Sequence, residues 1–158
     1  MADALTAQQT ADAVGVHMFA NDRASKAMGM RIVAMSEGAA FLEMTVRDDM
    51  LNGFDICHGG FITTLADSAF AFACNSAGHS TVAAGLTVDF LAPAHRGDVL
   101  TARAFEIVQS GRTGLYDITV TNQDGKQIAL VRGRSHRIKD QQVLPQANTS
   151  APRNGGAR

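Results

Sequence analysis

Apolar positions along this chain recur at two spacings, and the switches between them mark out its elements. From Ala7 to about Ala20 a helical spacing puts Ala11, Val14 and Met18 on one side, as in a helix laid against a domain. Period-two alternation follows. Met30 to Ser36 and Ala39 to Val46 form a predicted hairpin about Glu37-Gly38, with Leu42, Met44 and Val46 on one face and Phe41, Glu43 and Thr45 on the other. Arg47 to Cys57 is an irregular loop, after which the helical spacing returns from His58 to Gly78. Four strand-like runs complete the pattern: Thr81 to Leu91, Asp98 to Gln109, Gly114 to Gln123 and Gln127 to Ile138. Pro93 with Gly97, Gly111 with Gly114, and Asp124-Gly125 supply the turns between them. Two strands, one long helix and four strands on short turns predict an α+β protein, an antiparallel sheet with the helix packed across it.

The long helix carries more than packing. Phe61, Ile62, Leu65, Ala66, Ala69, Phe70, Phe72 and Ala73 fill one half of its wheel; Thr63, Thr64, Asp67, Ser68, Ala71, Cys74 and Asn75 fill the other. A face turned to open water normally carries Lys, Glu or Arg, yet Asp67 is the one formal charge from Phe61 to Gly78, so the second face is expected to be covered too. Asp is a poor interior helix residue, because its side chain competes for backbone groups. At the other end, His58-Gly59-Gly60 offers backbone N–H groups where the peptide dipoles present partial positive charge, a seat for an anion or a developing oxyanion. An oxyanion seat and a carboxylate are two ingredients of acyl transfer.

Length and composition narrow the setting. The chain has 158 residues, 46% of them hydrophobic and 18% charged, which suits one domain with a real core. No apolar run approaches the roughly 18 residues of a membrane span. Met1 to Thr10 lacks a basic start and carries Asp3, so no signal peptide is read and a cytoplasmic protein is expected. Cys57 and Cys74 stand in no redox or metal spacing and read as packed thiols; His17, His58, His79, His95 and His136 show no metal spacing either. The net charge of −1 hides an asymmetry: residues 1–90 hold four Lys/Arg against ten Asp/Glu, and residues 91–158 hold ten against five. That basic part lacks the aromatic interleaving of a nucleic-acid groove and better suits a few Arg side chains gripping a phosphorylated small molecule. Residues 1–28 are read as a helical segment, 29–139 as the domain, and 140–158, rich in Gln, Asn, Ser, Pro and Gly, as a disordered tail.

The ordered set Asn52-Gly53, His58-Gly59-Gly60, Leu65-Ala66-Asp67-Ser68-Ala69-Phe70 and Asn75 resembles the hot-dog-fold acyl-CoA thioesterases, most closely the phenylacetate-degradation branch. The likeness extends more weakly from Met30 to about Arg137, through the Gly111-Arg112-Thr113 turn. It implies the hot-dog fold, hydrolysis of an aryl-acetyl thioester of coenzyme A, no cofactor beyond the coenzyme A of the substrate, and a homodimer often paired into a tetramer. It further implies that Asn52, His58 and Gly59 of one chain face Asp67 of its partner, with the Gly59 amide polarising the thioester oxygen.

Each site residue has a plainer alternative. Asp67 could be a polar residue at a subunit contact, but its isolation favours chemistry: attack on the thioester carbon, or deprotonation of the water that attacks. Gly59 and Gly60 could simply permit a tight entry to the helix, and both uses are compatible. Asn52-Gly53 is by itself an ordinary turn dipeptide; the resemblance moves Asn52 into the site, to hold the water or the carbonyl. Ser68 could bind the attacking water or cap a carbonyl, and His58 is the runner-up general base. For coenzyme A the candidates are Arg112 and Thr113 before the Gly114 strand and His95 and Arg96 after Pro93; Leu51, Phe54, Phe61 and Leu65, with Gly60, are the candidates around the acyl group. Three other readings stay open: a hot-dog hydratase or dehydratase using His58 with Asp67; a non-catalytic acyl-CoA-binding module, against which Asp67 counts; and a purely structural hot-dog subunit, which would not need a solitary carboxylate.

Overall fold

A computed structural model describes residues 4–145. Helix α1 (Ala7–Asn21) starts in a capping box: the Thr6 hydroxyl accepts from the Gln9 amide and the Gln9 side chain accepts from the Thr6 amide. It buries Ala11, Val14 and Gly15. A second short helix, α2 (Arg23–Ala27), is absent from the sequence reading; Asp22 caps it by accepting from the Ser25 amide at 2.9 Å. Strands β1 (Arg31–Ser36) and β2 (Ala39–Thr45) form the expected hairpin. A 3₁₀ turn (Asp48–Met50) and a loop then lead into the long helix α3 (Gly59–Asn75), followed by β3 (His79–Phe90), β4 (Val99–Ser110), β5 (Thr113–Thr121) and β6 (Gln127–Gln142).

All six strands form one sheet in the order β1-β2-β4-β5-β6-β3, and every neighbouring pair is antiparallel. Alternation decides which side faces α3. Ala40, Leu42 and Met44 on β2, Leu100, Ala102 and Ala104 on β4, Tyr116, Ile118 and Val120 on β5, and Val131 on β6 are all buried against the helix. The apolar half of the α3 wheel meets them, with Leu65, Ala66, Ala69 and Phe70 at 0% exposure. Phe70 comes close because β6 has a glycine beneath it: a Cβ on Gly133 would stand 2.9 Å from the Phe70 ring. The ring also tilts against Tyr116, at 5.2 Å between centroids.

The limits of α3 and β6 depart furthest from expectation. Helix α3 begins at Gly59 and ends at Asn75, because His58 and Ser76 are its caps rather than members. The Asn75 side chain accepts from the Thr81 amide and donates to the Thr81 carbonyl, both at 2.8 Å, clamping the helix end to the start of β3. Strand β6 runs past Ile138 to Gln142, pairing Gln142 with His79, and the Val143 amide donates to the Gly78 carbonyl. The polar segment read as a tail from residue 140 therefore enters the sheet at its beginning, since ladder bonds use the backbone and are indifferent to side-chain polarity. Residues 146–158 of that segment lie outside the described residues.

The fit of Phe70 over Gly133 makes this contact the sensitive one. Replacing Phe70 by Ala should lower the unfolding free energy by about 3–5 kcal/mol, the usual range for a fully buried Phe. Urea unfolding of the variant checks this, with Val16→Ala, at a 74% exposed position, as the nearly neutral control.

Candidate active site

The loop before α3 is tied down by its own amides and leaves that of Gly59 free. The Asn52 side-chain oxygen accepts from the amides of Phe54 at 2.9 Å and Ile56 at 3.4 Å, while the Asn52 amide donates to the Ile56 carbonyl at 2.8 Å. Asn52 thus folds the loop with its oxygen and leaves its Nδ2 as a donor. The His58 amide donates to the Met50 carbonyl and the Cys57 amide to the Ala94 carbonyl, both at 2.8 Å, which fixes the entry to the helix. His58 then caps α3: its Nδ1 accepts from the Gly60 amide at 3.0 Å. The Phe61 amide donates to the His58 carbonyl. Among the described residues the Gly59 amide has no acceptor, so it is an orphan donor at the helix terminus, where the positive end of the dipole lies.

This geometry bears on His58. With Nδ1 accepting from Gly60, the neutral imidazole carries its proton on Nε2 and presents a donor outward. The lone pair that a general base needs is already in use, so the cap disfavours His58 as the base of either a thioesterase or a hydratase.

Asp67 lies further along α3, half-buried on the polar face. Burial pushes its carboxyl above the usual carboxylate range, and no counter-ion or hydrogen bond offsets it among the described residues. Thr63 and Thr64 turn their hydroxyls back to the carbonyls of Gly59 and Gly60, both at 2.8 Å. Ser68 has a different partner from the one expected: its hydroxyl lies 3.0 Å from that of buried Ser25, which in turn donates to Asp22 at 2.6 Å. That chain ties α2 to α3 and draws Ser68 toward α2. Neither cysteine is poised as a nucleophile, since burial pushes Cys57 up to about 11 and Cys74 up to about 12.

The remaining candidates divide by position. Leu51, half-buried, and Phe54, 87% exposed, sit in the loop beside the free amide, with Phe61 half-buried on the first turn. Leu65 is 0% exposed in the core, so it is removed from any acyl pocket; it belongs to the half of the wheel that meets the sheet. Arg96 pairs with Asp48 at 2.7 Å and Asp55 at 3.5 Å, which places it and His95 next to the Asn52 loop. Arg112 and Thr113 are elsewhere. They turn from β4 into β5 at the end of the sheet where the Gly38 amide donates to Ser76, beyond the opposite terminus of α3. One residue of the site escaped the sequence reading: Phe90, at the end of β3, whose ring lies against Gly59. Only a tertiary contact reveals it.

Within one chain Gly59 and Asp67 do not converge. At 1.5 Å per residue they stand about 12 Å apart along the axis and about 80° around it. One carbonyl held by the amide and attacked at the carboxylate would need them roughly half that distance apart.

An antiparallel sheet wrapped round a helix, with an orphan amide at its start and a half-buried carboxylate in its middle, defines a hot-dog-fold protein of the acyl-transfer type. The chain belongs to the thioesterase superfamily, whose family model matches residues 54–129. It is 52% identical over 121 residues to the acyl-coenzyme A thioesterase PaaI of Escherichia coli, covering 77% of this chain and 86% of that one. The structure of the E. coli PaaI protein from the phenylacetic acid degradation operon superposes with a TM-score of 0.83 at 48% identity, over 84% of this chain and 96% of that one. A hypothetical thioesterase from Streptococcus pneumoniae, solved with coenzyme A, gives a TM-score of 0.66 at 25% identity, over 68% and 87% of the two chains.

The raised Asp67 carboxyl has a sign that can be measured. Because its folded pKa exceeds its unfolded one, the native state favours the protonated form, and stability is lost as pH rises through the folded pKa. Asp67→Asn should therefore melt above the parent at pH 8, with the gap closing as the pH falls toward the ordinary carboxylate range near 4. Thermal unfolding at a series of pH values checks this; a gap that widens on acidification would contradict it.

Proposed function

We propose that this chain is an acyl-CoA thioesterase that hydrolyses aryl-acetyl thioesters of coenzyme A, and that its site forms between two copies. What carries the reading is that, among the described residues, the Gly59 amide is unshared and half-buried Asp67 is unpaired, the two standing too far apart to act together in the same chain. In a two-fold dimer each site would combine Asn52, His58 and Gly59 of one protomer with Asp67 of its partner. The half-exposed polar face of α3 and the unpaired outer edge of β3 supply surfaces for such a contact. Two such dimers would make the tetramer. Arg112 and Thr113 would then reach a given site only from the partner, whereas His95 and Arg96 border it in their own protomer.

The chemistry follows from the groups. The thioester oxygen accepts from the Gly59 amide, where the helix dipole favours the charge that develops on it. Asn52 Nδ2 and His58 Nε2–H are further donors on the same side. Asp67, made more basic by burial, takes a proton from water as the oxygen attacks the carbonyl carbon, or attacks that carbon itself to form a mixed anhydride that water then hydrolyses, the proton of that water passing to the expelled sulfur. The C–S bond breaks, the sulfur takes up the proton, and free acid and coenzyme A leave; no other cofactor is called for. No described helix is long and apolar enough to cross a membrane. With two free cysteines and a coenzyme A substrate, we place the protein in the cytoplasm.

Thiol release across a panel of acyl-CoAs tests the activity. Asp67→Ala should lower kcat by ~10²–10⁴-fold with little change in KM, the scale of a positioned base. Co-expressed Asp67→Ala and Asn52→Ala chains, each inactive alone, should regain about a quarter of parental turnover, because half of random dimers are mixed and each mixed dimer rebuilds one site. A fully active 16.7 kDa species in sedimentation would sink the shared site.

A further inference from the structure

We infer that Phe90 is the residue that selects the acyl group: its ring forms the wall beside the Gly59 amide against which an aryl-acetyl group lies. This rests on the thioesterase reading and adds to it the residue that sets the substrate class.

The tip of the Phe90 ring meets the α-carbon of Gly59. A Cβ there would stand 2.8 Å from ring atom Cζ and 3.2 Å from Cε1 and Cε2, closer than side-chain carbons approach. Gly59 does not have a left-handed φ, so its backbone would accept another residue; what requires the glycine is the ring. The mounting of both groups is shared. Phe90 is the last residue of β3 and faces Ala129 on β6, and the Leu91 amide donates to the Ile128 carbonyl at 2.9 Å. The same segment continues to Ala94, whose carbonyl accepts from the Cys57 amide just before the helix. Ring and amide are thus held by one backbone path.

Phe90 is unlike the other aromatic groups around α3. Phe70 and Phe72 are 0% and 1% exposed, whereas Phe90 is 54% exposed, so the ring seals no core and its outer face is open. Beside it is the Gly59 amide, a donor with no acceptor among the described residues. A thioester oxygen placed on that amide, at about 2.9 Å, brings its acyl substituent alongside the ring. A flat aromatic acyl group fills that contact by offset or edge-on packing, and an acetyl group is too short to use it.

The test compares phenylacetyl-CoA with acetyl-CoA on the parent, Phe90→Ala and Phe90→Leu enzymes. Phe90→Ala should cut the ratio of kcat/KM values, phenylacetyl over acetyl, by ~10–200-fold, the range for lost apolar contacts in a pocket. Phe90→Leu should fall between. Gly59→Ala, whose methyl displaces the ring, should lower the same ratio, and the double variant Gly59→Ala with Phe90→Ala should lower it no further than Phe90→Ala alone. The dissociation constants of the non-hydrolysable thioether analogues of the two substrates should shift in parallel, which keeps the test valid even if the parent turns over neither thioester and the thioesterase reading fails. An unchanged ratio in both measurements overturns the assignment. So does a shift of Phe90→Ala from the parental assembly to 16.7 kDa in sedimentation, which would make the ring a subunit contact.

Discussion

The close seat of α3 on its sheet depends on a side chain that is missing. Gly133 leaves the space that Phe70 occupies, and the Phe70 ring and Tyr116 then fix the depth and direction of the helix. A methyl group at residue 133 would meet the ring at 2.9 Å, so the helix would rise or turn, carrying both termini with it. Position matters here more than stability, because the unshared Gly59 amide lies at the start of the helix and the half-buried Asp67 in its middle. A shift of an ångström at Phe70 would be repeated at the Gly59 amide and at Asp67.

Both ends of α3 are tied by polar side chains that use themselves up in doing so. Asn75 gives its donor and its acceptor to Thr81, and His58 gives Nδ1 to Gly60. Thr63 and Thr64 return their hydroxyls to the first turn. Among the described residues, what remains free near the start of the helix is the Gly59 amide with the outward Nε2–H of His58, and on the polar face the Asp67 carboxylate. Burial raises the latter without offering it a partner, a strain that structure alone does not relieve.

Much of this was legible in the residues. Period-two alternation in β2 and β5 and the two-sided wheel of α3 located the core, because burial imposes the same periods on sequence and on packing. Asp67 was visible for its isolation, and Gly59 for its place before a helix. Other features depend on contacts between distant segments. The cap made by His58, the Asp22–Ser25–Ser68 chain and the Phe90 ring on Gly59 join residues with no shared local pattern. Leu65 shows the limit from the other side: it was a candidate for the acyl group, yet its place on the apolar half of the wheel sends it into the core. Strand β6 outran its apolar pattern for a related reason, since the ladder to β3 needs only backbone.

Tyr116 carries a consequence of a different kind. It is the chain's one tyrosine, in a sequence without tryptophan, and its hydroxyl donates to Glu106 at 2.6 Å while its ring touches Phe70. Ultraviolet emission excited near 280 nm therefore comes from a single phenol, quenched or brightened by the carboxylate beside it. The molecule carries its own optical reporter of whether helix and sheet are in register, with no label added and no second chromophore to subtract.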